Sequence, residues 1–217
     1  MIWWVYEQAK KVSKFDAVYV ATDDERISTV VREFGGNVIM TEEHPEHFSR
    51  LHEVSNKINA DYYICILGDE PMIEVNIISA VIPQTVHDEP YFGGLMTKMT
   101  DPVKVVDPAN IKVLTGYNGK CVYMTRATAP FPKGTLDYVY HKYLGIECFN
   151  KAALDLYVNT PKGKLERIED INHLRYIENG VSLHFTEVLS EALSVDTPKD
   201  LEYVCNKIIP HGNAGNL

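Results

Sequence analysis

Positive charge is in short supply in this chain: 21 Lys and Arg stand against 30 Asp and Glu, for a formal net charge of −9. A surface of that sign repels a nucleic-acid duplex or an anionic membrane on average, so neither is an expected partner. No apolar run approaches the length that crosses a bilayer, and the amino terminus lacks a basic region followed by an apolar core and a cleavage site. Cysteine is scarce as well. Cys65, Cys121, Cys148 and Cys205 lie far apart, without a CxxC pair or a His at metal-ligand spacing, and read as small buried side chains in a reducing cytoplasm. There is no internal repeat and no low-complexity segment. A small anion stays open as a ligand, because backbone N–H groups or a metal ion outweigh global charge locally.

What is present is an α/β pattern. With 217 residues and 45% hydrophobic content, the chain can bury a full core in one domain, expected over residues 1–210, with His211–Leu217 as a flexible, turn-forming tail. Ile2, Val5, Ala9 and Val12 recur at helical spacing, and Ala17–Ala21 then reads as a buried strand. A helix near 24–34 carries Ile27, Val30, Val31 and Phe34 and stops at Gly35-Gly36; a strand follows at 37–40. Phe48, Leu51, Val54 and Ile58 mark another helix face, Tyr62–Leu67 a continuous apolar strand, and 74–82 a further helix. Such βα repetition predicts a mostly parallel sheet with ligands at the carboxyl ends of its strands.

From about residue 91 to 150 the texture becomes antiparallel. Strands near 92–98, 110–115 and 121–125 surround Tyr117-Asn118-Gly119, a hairpin signal. Helices are expected at 151–158 and 166–179, a strand at 181–188, and a last helix with Thr197 as N-cap, Pro198 at its first position and Asp200 in its first turn.

Two acidic segments are placed for chemistry. Gly68-Asp69-Glu70-Pro71 ends the most apolar strand of the first half, and Val195-Asp196-Thr197-Pro198 precedes the last helix. Brought together, Asp69 and Asp196 would form a Mg²⁺ site that retains waters and accepts phosphate oxygens. A turn and a helix cap are the plain alternatives. His44, His47 and His52 also cluster, and solvated side chains explain them more simply than a metal does. Trp3 and Trp4 are adjacent on a helix, so they face different ways and are not both core.

The segments "YVATDDERI", "FGGNVIMTEE" and "GDEPMI", followed far downstream by "SVDTPKDLE", resemble the CMP-Kdo synthetases, the 3-deoxy-manno-octulosonate cytidylyltransferases. "DPANIKVL", "GKCVYMTRATAPFP", "YHKYLGIECFNKAAL" and "EDINHLRYIENG" extend the resemblance over nearly the whole chain. It implies a Rossmann-like nucleotidyltransferase sandwich, a homodimer built around the antiparallel extension, CTP as substrate with Mg²⁺, and attack of a sugar-acid hydroxyl on the α-phosphate with loss of pyrophosphate. By the match, Asp69 and Asp196 are the catalytic, metal-binding carboxylates, and Ala21, Thr22 and Asp23 lie by the nucleotide.

The chain also departs from the family pattern. The family opens with a strand and a basic loop of the type PARxxSxRLPGKPL, and Met1-Ile2 matches the Met-Ile that follows it. Two expectations stay open: a start that omits the loop, which would leave strand edges exposed, or a relative that no longer turns over CTP. Leu67 replaces a Gln, Tyr143 a His, Asn172 a Glu, and Glu46-His47-Phe48 a Ser-Gly-Thr. Arg50 and Arg175 match, and guanidinium suits a carboxylate or phosphonate, with a salt bridge as the alternative role. Tyr143, Asn172, Arg50 and Arg175 are thus the expected acceptor-binding positions, and the changes argue for an acceptor other than Kdo. A non-catalytic binding or regulatory relative is the rival reading.

Overall fold

The chain opens on helix α1 (Ile2–Lys10), which buries Val5, Tyr6 and Ala9 and, just past its end, Val12. Trp3 and Trp4 are both partly exposed and meet edge to face, in line with their adjacent places on the helix. The computed structural model describes residues 1–190, 194–195 and 197–208, and these form two compact units.

The first unit comprises Met1–Met40, Ile66–Ser79 and the described residues from Ser190 onward. Strand β1 (Val20–Thr22) starts later than the Ala17–Ala21 expectation and pairs in parallel with β2 (Val38–Met40). Between them, α2 (Glu25–Glu33) is capped by Asp24, whose carboxylate accepts from the Arg26 N–H. The helix buries Ser28 and Val31, half-buries Phe34 and leaves Ile27 and Val30 exposed, so of the expected apolar face only Val31 is core. Tyr6 joins these pieces: its hydroxyl accepts from the Asn37 N–H at 3.0 Å. Helix α4 (Val75–Ala80) buries Ile77 and Ile78, and α9 (Pro198–Ile208) starts as expected. Thr197 and Asp200 cap each other: the Thr197 N–H donates to the Asp200 carboxylate at 2.9 Å, and the Asp200 N–H to Thr197 Oγ1 at 3.3 Å.

The second unit, Thr41–Cys65 and Ala80–Leu189, holds the larger sheet. Its strands are β3 (Tyr63–Ile66, whose last residue counts with the first unit), β4 (Phe92–Met99), β5 (Lys112–Thr115), β6 (Cys121–Thr125), β7 (Tyr140–Phe149) and β8 (Leu183–Glu187). They run in the order β6-β5-β7-β4-β8, with β3 also paired to β7. The sheet is mixed: β4–β8 is parallel, while β4–β7, β5–β6 and β5–β7 are antiparallel. The antiparallel texture expected over 91–150 is present in the β4–β7, β5–β6 and β5–β7 pairs, while β4–β8 stays parallel.

The β5–β6 hairpin is the one expected around Asn118-Gly119. Gly119 has φ +71°, and a Cβ there would lie 2.9 Å from the Phe185 carbonyl oxygen, so conformation and space both require glycine. Lys112 is buried at the foot of this hairpin, its ammonium donating to the carbonyls of Asp107, Asn110 and Arg126 at 2.7–2.9 Å. Short α5 (Pro102–Val106) links β4 to β5.

Helices α3 (His47–Lys57) and α6 (Lys151–Asn159) pack together over an aromatic core of Phe48, Phe92, Phe149, Tyr157 and Tyr176. The single helix expected over 166–179 is two, α7 (Lys164–Glu169) and α8 (Leu174–Glu178), separated by Asp170 at φ 52°. The break has a visible cause. Arg126 donates to the carbonyls of Glu169 and Asp170, and the Glu169 carboxylate accepts from Thr125 and the Arg126 N–H, so the end of α7 is held by the β6 exit and not by a further helical turn.

Candidate functional site

The expected nucleotide-side residues fall in the first unit. Ala21 and Thr22 end β1; Thr22 is buried, and its Oγ1 accepts from the Asp24 N–H at 3.1 Å, shaping the turn into α2 with exposed Asp23 between them. Asp69 follows β3 in a turn, and its Oδ1 is buried and has no hydrogen-bond partner among the described residues. An unpaired buried carboxylate oxygen costs about 1–3 kcal/mol or more, which a cation ligand would offset. The Asp69 carbonyl accepts from the Val195 N–H at 2.9 Å, tying the Ser194–Val195 segment to it. Asp196 lies outside the described residues, as does the 211–217 tail. An open carboxylate oxygen is of the chemistry that a hard divalent cation takes as a ligand.

The second unit gathers the acceptor-side residues around a carboxylate that the sequence reading did not single out. Glu147, on β7, is buried at 1% exposure. Its Oε1 accepts from the Tyr143 hydroxyl at 2.5 Å and from His173 Nε2 at 2.5 Å, and its Oε2 faces His47 Nε2 at 2.9 Å. Three elements set this up. The β4–β7 register shifts between the Gly94–Glu147 and Leu95–Leu144 pairs, an irregularity of the kind that re-aims side chains along a strand. His47 opens α3, with Glu46 as N-cap accepting from the Phe48 and Ser49 N–H groups. His173 sits just after the α7–α8 break and is walled by Phe48, Phe92 and Tyr143, ring centroids 4.9–5.2 Å away.

Electrostatics follow from this packing. Burial alone would raise the Glu147 pKa, but the charges and hydrogen bonds of His47 and His173 outweigh it and hold the carboxyl well below its ordinary value. Burial would lower His47, yet the Glu147 charge and hydrogen bond win and raise it. Burial, then the Glu147 charge, pushes the Cys65 thiol up.

The remaining expected residues are distributed as follows. Tyr143 is in the cluster, and Asn172 is next to His173 in sequence, its carbonyl accepting from the Arg175 N–H at 3.2 Å. Arg50 is half-buried and donates to Thr41 Oγ1 at 2.8 Å. Arg175 is buried. It grips Glu166 with Nε and Nη2 at 2.8 and 2.6 Å, donates through Nη1 to the Tyr157 and Thr160 carbonyls, and lies 3.8 Å from the Tyr157 ring centroid. That guanidinium is committed inside the unit, the salt-bridge role left open above. The sequence-adjacent histidines do not converge either: His44 pairs with Glu53 at 2.6 Å and His52 with Asp155 at 2.9 Å, and only His47 reaches Glu147. The one sequence signal for Glu147 was a carboxylate inside an otherwise apolar strand, "YLGIECF".

Residues 1–187 match the family model described as Cytidylyltransferase. The chain is 37% identical, over 94% of its length and 82% of the relative's, to the 3-deoxy-manno-octulosonate cytidylyltransferase of Solibacter usitatus. It is 32% identical, over 93% of its length and 84% of the relative's, to the 8-amino-3,8-dideoxy-manno-octulosonate cytidylyltransferase of Shewanella woodyi. A solved structure of CMP:2-keto-3-deoxy-manno-octonic acid synthetase complexed with CTP superposes with a TM-score of 0.88 at 32% identity, covering 94% of this chain and 85% of that one. The α/β nucleotidyltransferase fold expected from the sequence is therefore the fold of this chain, and the chain belongs to the cytidylyltransferase family, among the CMP-Kdo synthetases.

Proposed function

We propose that this chain transfers CMP from CTP to a sugar acid: an acceptor hydroxyl oxygen bonds to the α-phosphorus as the bond to the bridging β-phosphate oxygen breaks, pyrophosphate leaves and the hydroxyl proton passes to solvent. The observation that carries the reading is the buried, unpartnered Oδ1 of Asp69 at the end of β3. Mg²⁺ held by Asp69 and Asp196 would supply charge neutralisation for the phosphates. Ala21, Thr22 and Asp23 are assigned to the nucleotide, and Tyr143, Asn172 and Arg50 to the acceptor side. Arg175 acts as a positioning residue, fixing α8 against α6 and α7 so that Asn172 and His173 are held in place.

The Glu147 cluster favours a second reading of the acceptor. Tyr143 and His47, two of the positions that depart from the family pattern, both bond to Glu147. Altered polar groups at these acceptor-side positions favour a different set of partners, so the acceptor is a 2-keto sugar acid other than Kdo, or a phosphonate. A homodimer is proposed through the 91–150 extension, on the exposed apolar side chains Phe131, Leu136 and Val139. Among the described residues no helix is long and apolar enough to cross a membrane, and the four free cysteines suit a cytoplasmic setting.

The test is titration calorimetry of CTP with and without Mg²⁺, on the chain and on Asp69→Ala. Metal-dependent binding that the substitution abolishes is expected. Binding that is absent, or indifferent to Asp69, turns the reading to a non-catalytic relative.

A further inference from the structure

The second unit places three donors of different chemistry around one point. His47 Nε2, Cys65 Sγ and a Glu147 carboxylate oxygen all lie within 4.8 Å of one another. They come from three elements: the first residue of α3, strand β3, and strand β7, to which β3 is paired. Two of the donors are therefore fixed by neighbouring strands and the third by a capped helix start. We propose that His47, Cys65 and Glu147 form a binding site for a borderline-soft divalent cation of the Zn²⁺ class, separate from the hard-cation site proposed at Asp69.

The donor set is the argument for the class of metal. Imidazole, thiolate and carboxylate together suit zinc and its neighbours, whereas Mg²⁺ takes oxygen ligands and disfavours sulfur. Zinc bonds of roughly 2.0–2.3 Å put tetrahedral ligands about 3.3–3.8 Å apart, so the three atoms close on an ion with side-chain shifts of about 1 Å. The His47–Glu147 distance of 2.9 Å is already in that neighbourhood.

The surroundings are arranged as a metal site requires. Glu147 Oε1 is held by the Tyr143 hydroxyl and by His173, which fixes the carboxylate plane and leaves Oε2 directed at His47. His47 keeps about a third of its side chain exposed, at 31%, which gives an ion a way in. Loading replaces the Cys65 S–H bond with S–metal and the His47 Nε2–H bond with N–metal, the thiol proton going to solvent and the imidazole proton going to solvent or to Nδ1. Three protein ligands leave a tetrahedral ion one further position, open to water or to an oxygen of an acidic ligand. The cysteine spacings gave no hint of this because the ligands are 18 and 82 residues apart in sequence and meet only through the β3–β7 pairing.

Cobalt(II) substitution tests the proposal on the full chain. The expected result is stoichiometric binding with a thiolate-to-cobalt charge-transfer band in the near ultraviolet. That band disappears in Cys65→Ser and persists in Cys205→Ser and in Asp69→Ala, and zinc displaces the cobalt while excess Mg²⁺ does not. His47→Gln weakens binding at least tenfold, and His173→Gln weakens it by about 10–100-fold through loss of carboxylate orientation. Should Cys65→Ser lose its far-ultraviolet dichroism, Glu147→Gln and His47→Gln carry the same test. Absence of the band from the unaltered chain overturns the site, and so does a band that survives Cys65→Ser or vanishes only when another cysteine is replaced. Because Asp69→Ala serves as a control that keeps the band, failure here is distinguishable from failure of the CTP and Mg²⁺ reading.

Discussion

Asp69 in the first unit and Glu147 in the second each bury carboxylate oxygen, yet among the described residues Asp69 Oδ1 has no hydrogen-bond partner while Glu147 is met by Tyr143, His173 and His47. A carboxylate left unpaired destabilises the protein that carries it, so it marks a place that a ligand completes. One that is fully paired is organised before any ligand arrives, and any ligand must displace or share those bonds. An unpaired oxygen at Asp69 is what the proposed Mg²⁺ would complete, whereas a cation at the proposed His47–Cys65–Glu147 site must share bonds already made.

The largest effect that sharpens this contrast is at Arg175. Its bidentate pair with Glu166 is nearly fully buried, at 7% and 2% side-chain exposure, so Arg175→Ala leaves a buried carboxylate alone and lowers stability by about 3–5 kcal/mol in urea denaturation. Arg50→Ala, at a half-buried side chain, loses less. Equal losses would erase the distinction between the positioning arginine and the acceptor-side arginine.

Next comes the response to ligand. Mg²⁺ with CTP at about a hundred times its dissociation constant stabilises the folded chain by about 2.7 kcal/mol, read as a rise in melting temperature. Asp69→Ala abolishes that rise. A third, smaller contrast needs no ligand at all: Glu147→Gln costs about 1–3 kcal/mol because donors lose their charged acceptor, whereas Asp69→Asn stays within about 0.5 kcal/mol of the unaltered chain. A costly Asp69→Asn would mean that Oδ1 is satisfied in solution and the first unit is not waiting for a cation.

Much of this arrangement is legible in the sequence. Helix α9 could be read at Thr197-Pro198 and the β5–β6 hairpin at Asn118-Gly119, because caps and tight turns are written in a few adjacent residues. Asp69 was legible from its place after an apolar strand. The α7–α8 break was not, because it depends on Arg126 and Thr125 reaching Glu169 and Asp170 from more than 40 positions away. The Glu147 cluster was hidden for the same reason. His47, Cys65, Glu147 and His173 share no local spacing, and the adjacent histidines His44 and His52 turned to other acids. The resemblance marked Tyr143 as altered, but only the fold shows that Tyr143 and His47 bond to one carboxylate.

Titration gives the finest test of the contrast. The folded pKa of His47 lies above its ordinary 6.5, so its contribution is complete below that value and is lost as pH rises through the folded one. Glu147 is held below its ordinary 4.5, so its contribution is present above that value and is lost only as pH falls through the lower folded one. Together they place the strongest pairing between the two, with decay on the alkaline side first. The groups facing the pair are His173, Tyr143, Cys65 and Glu46. Denaturation free energies measured across this range should therefore fall as pH rises beyond 6.5 in the metal-free chain, and the slope should flatten in both His47→Gln and Glu147→Gln. A slope unchanged in both variants would assign the alkaline loss to other groups. It would also mean that the pairing at Glu147 contributes packing and orientation alone.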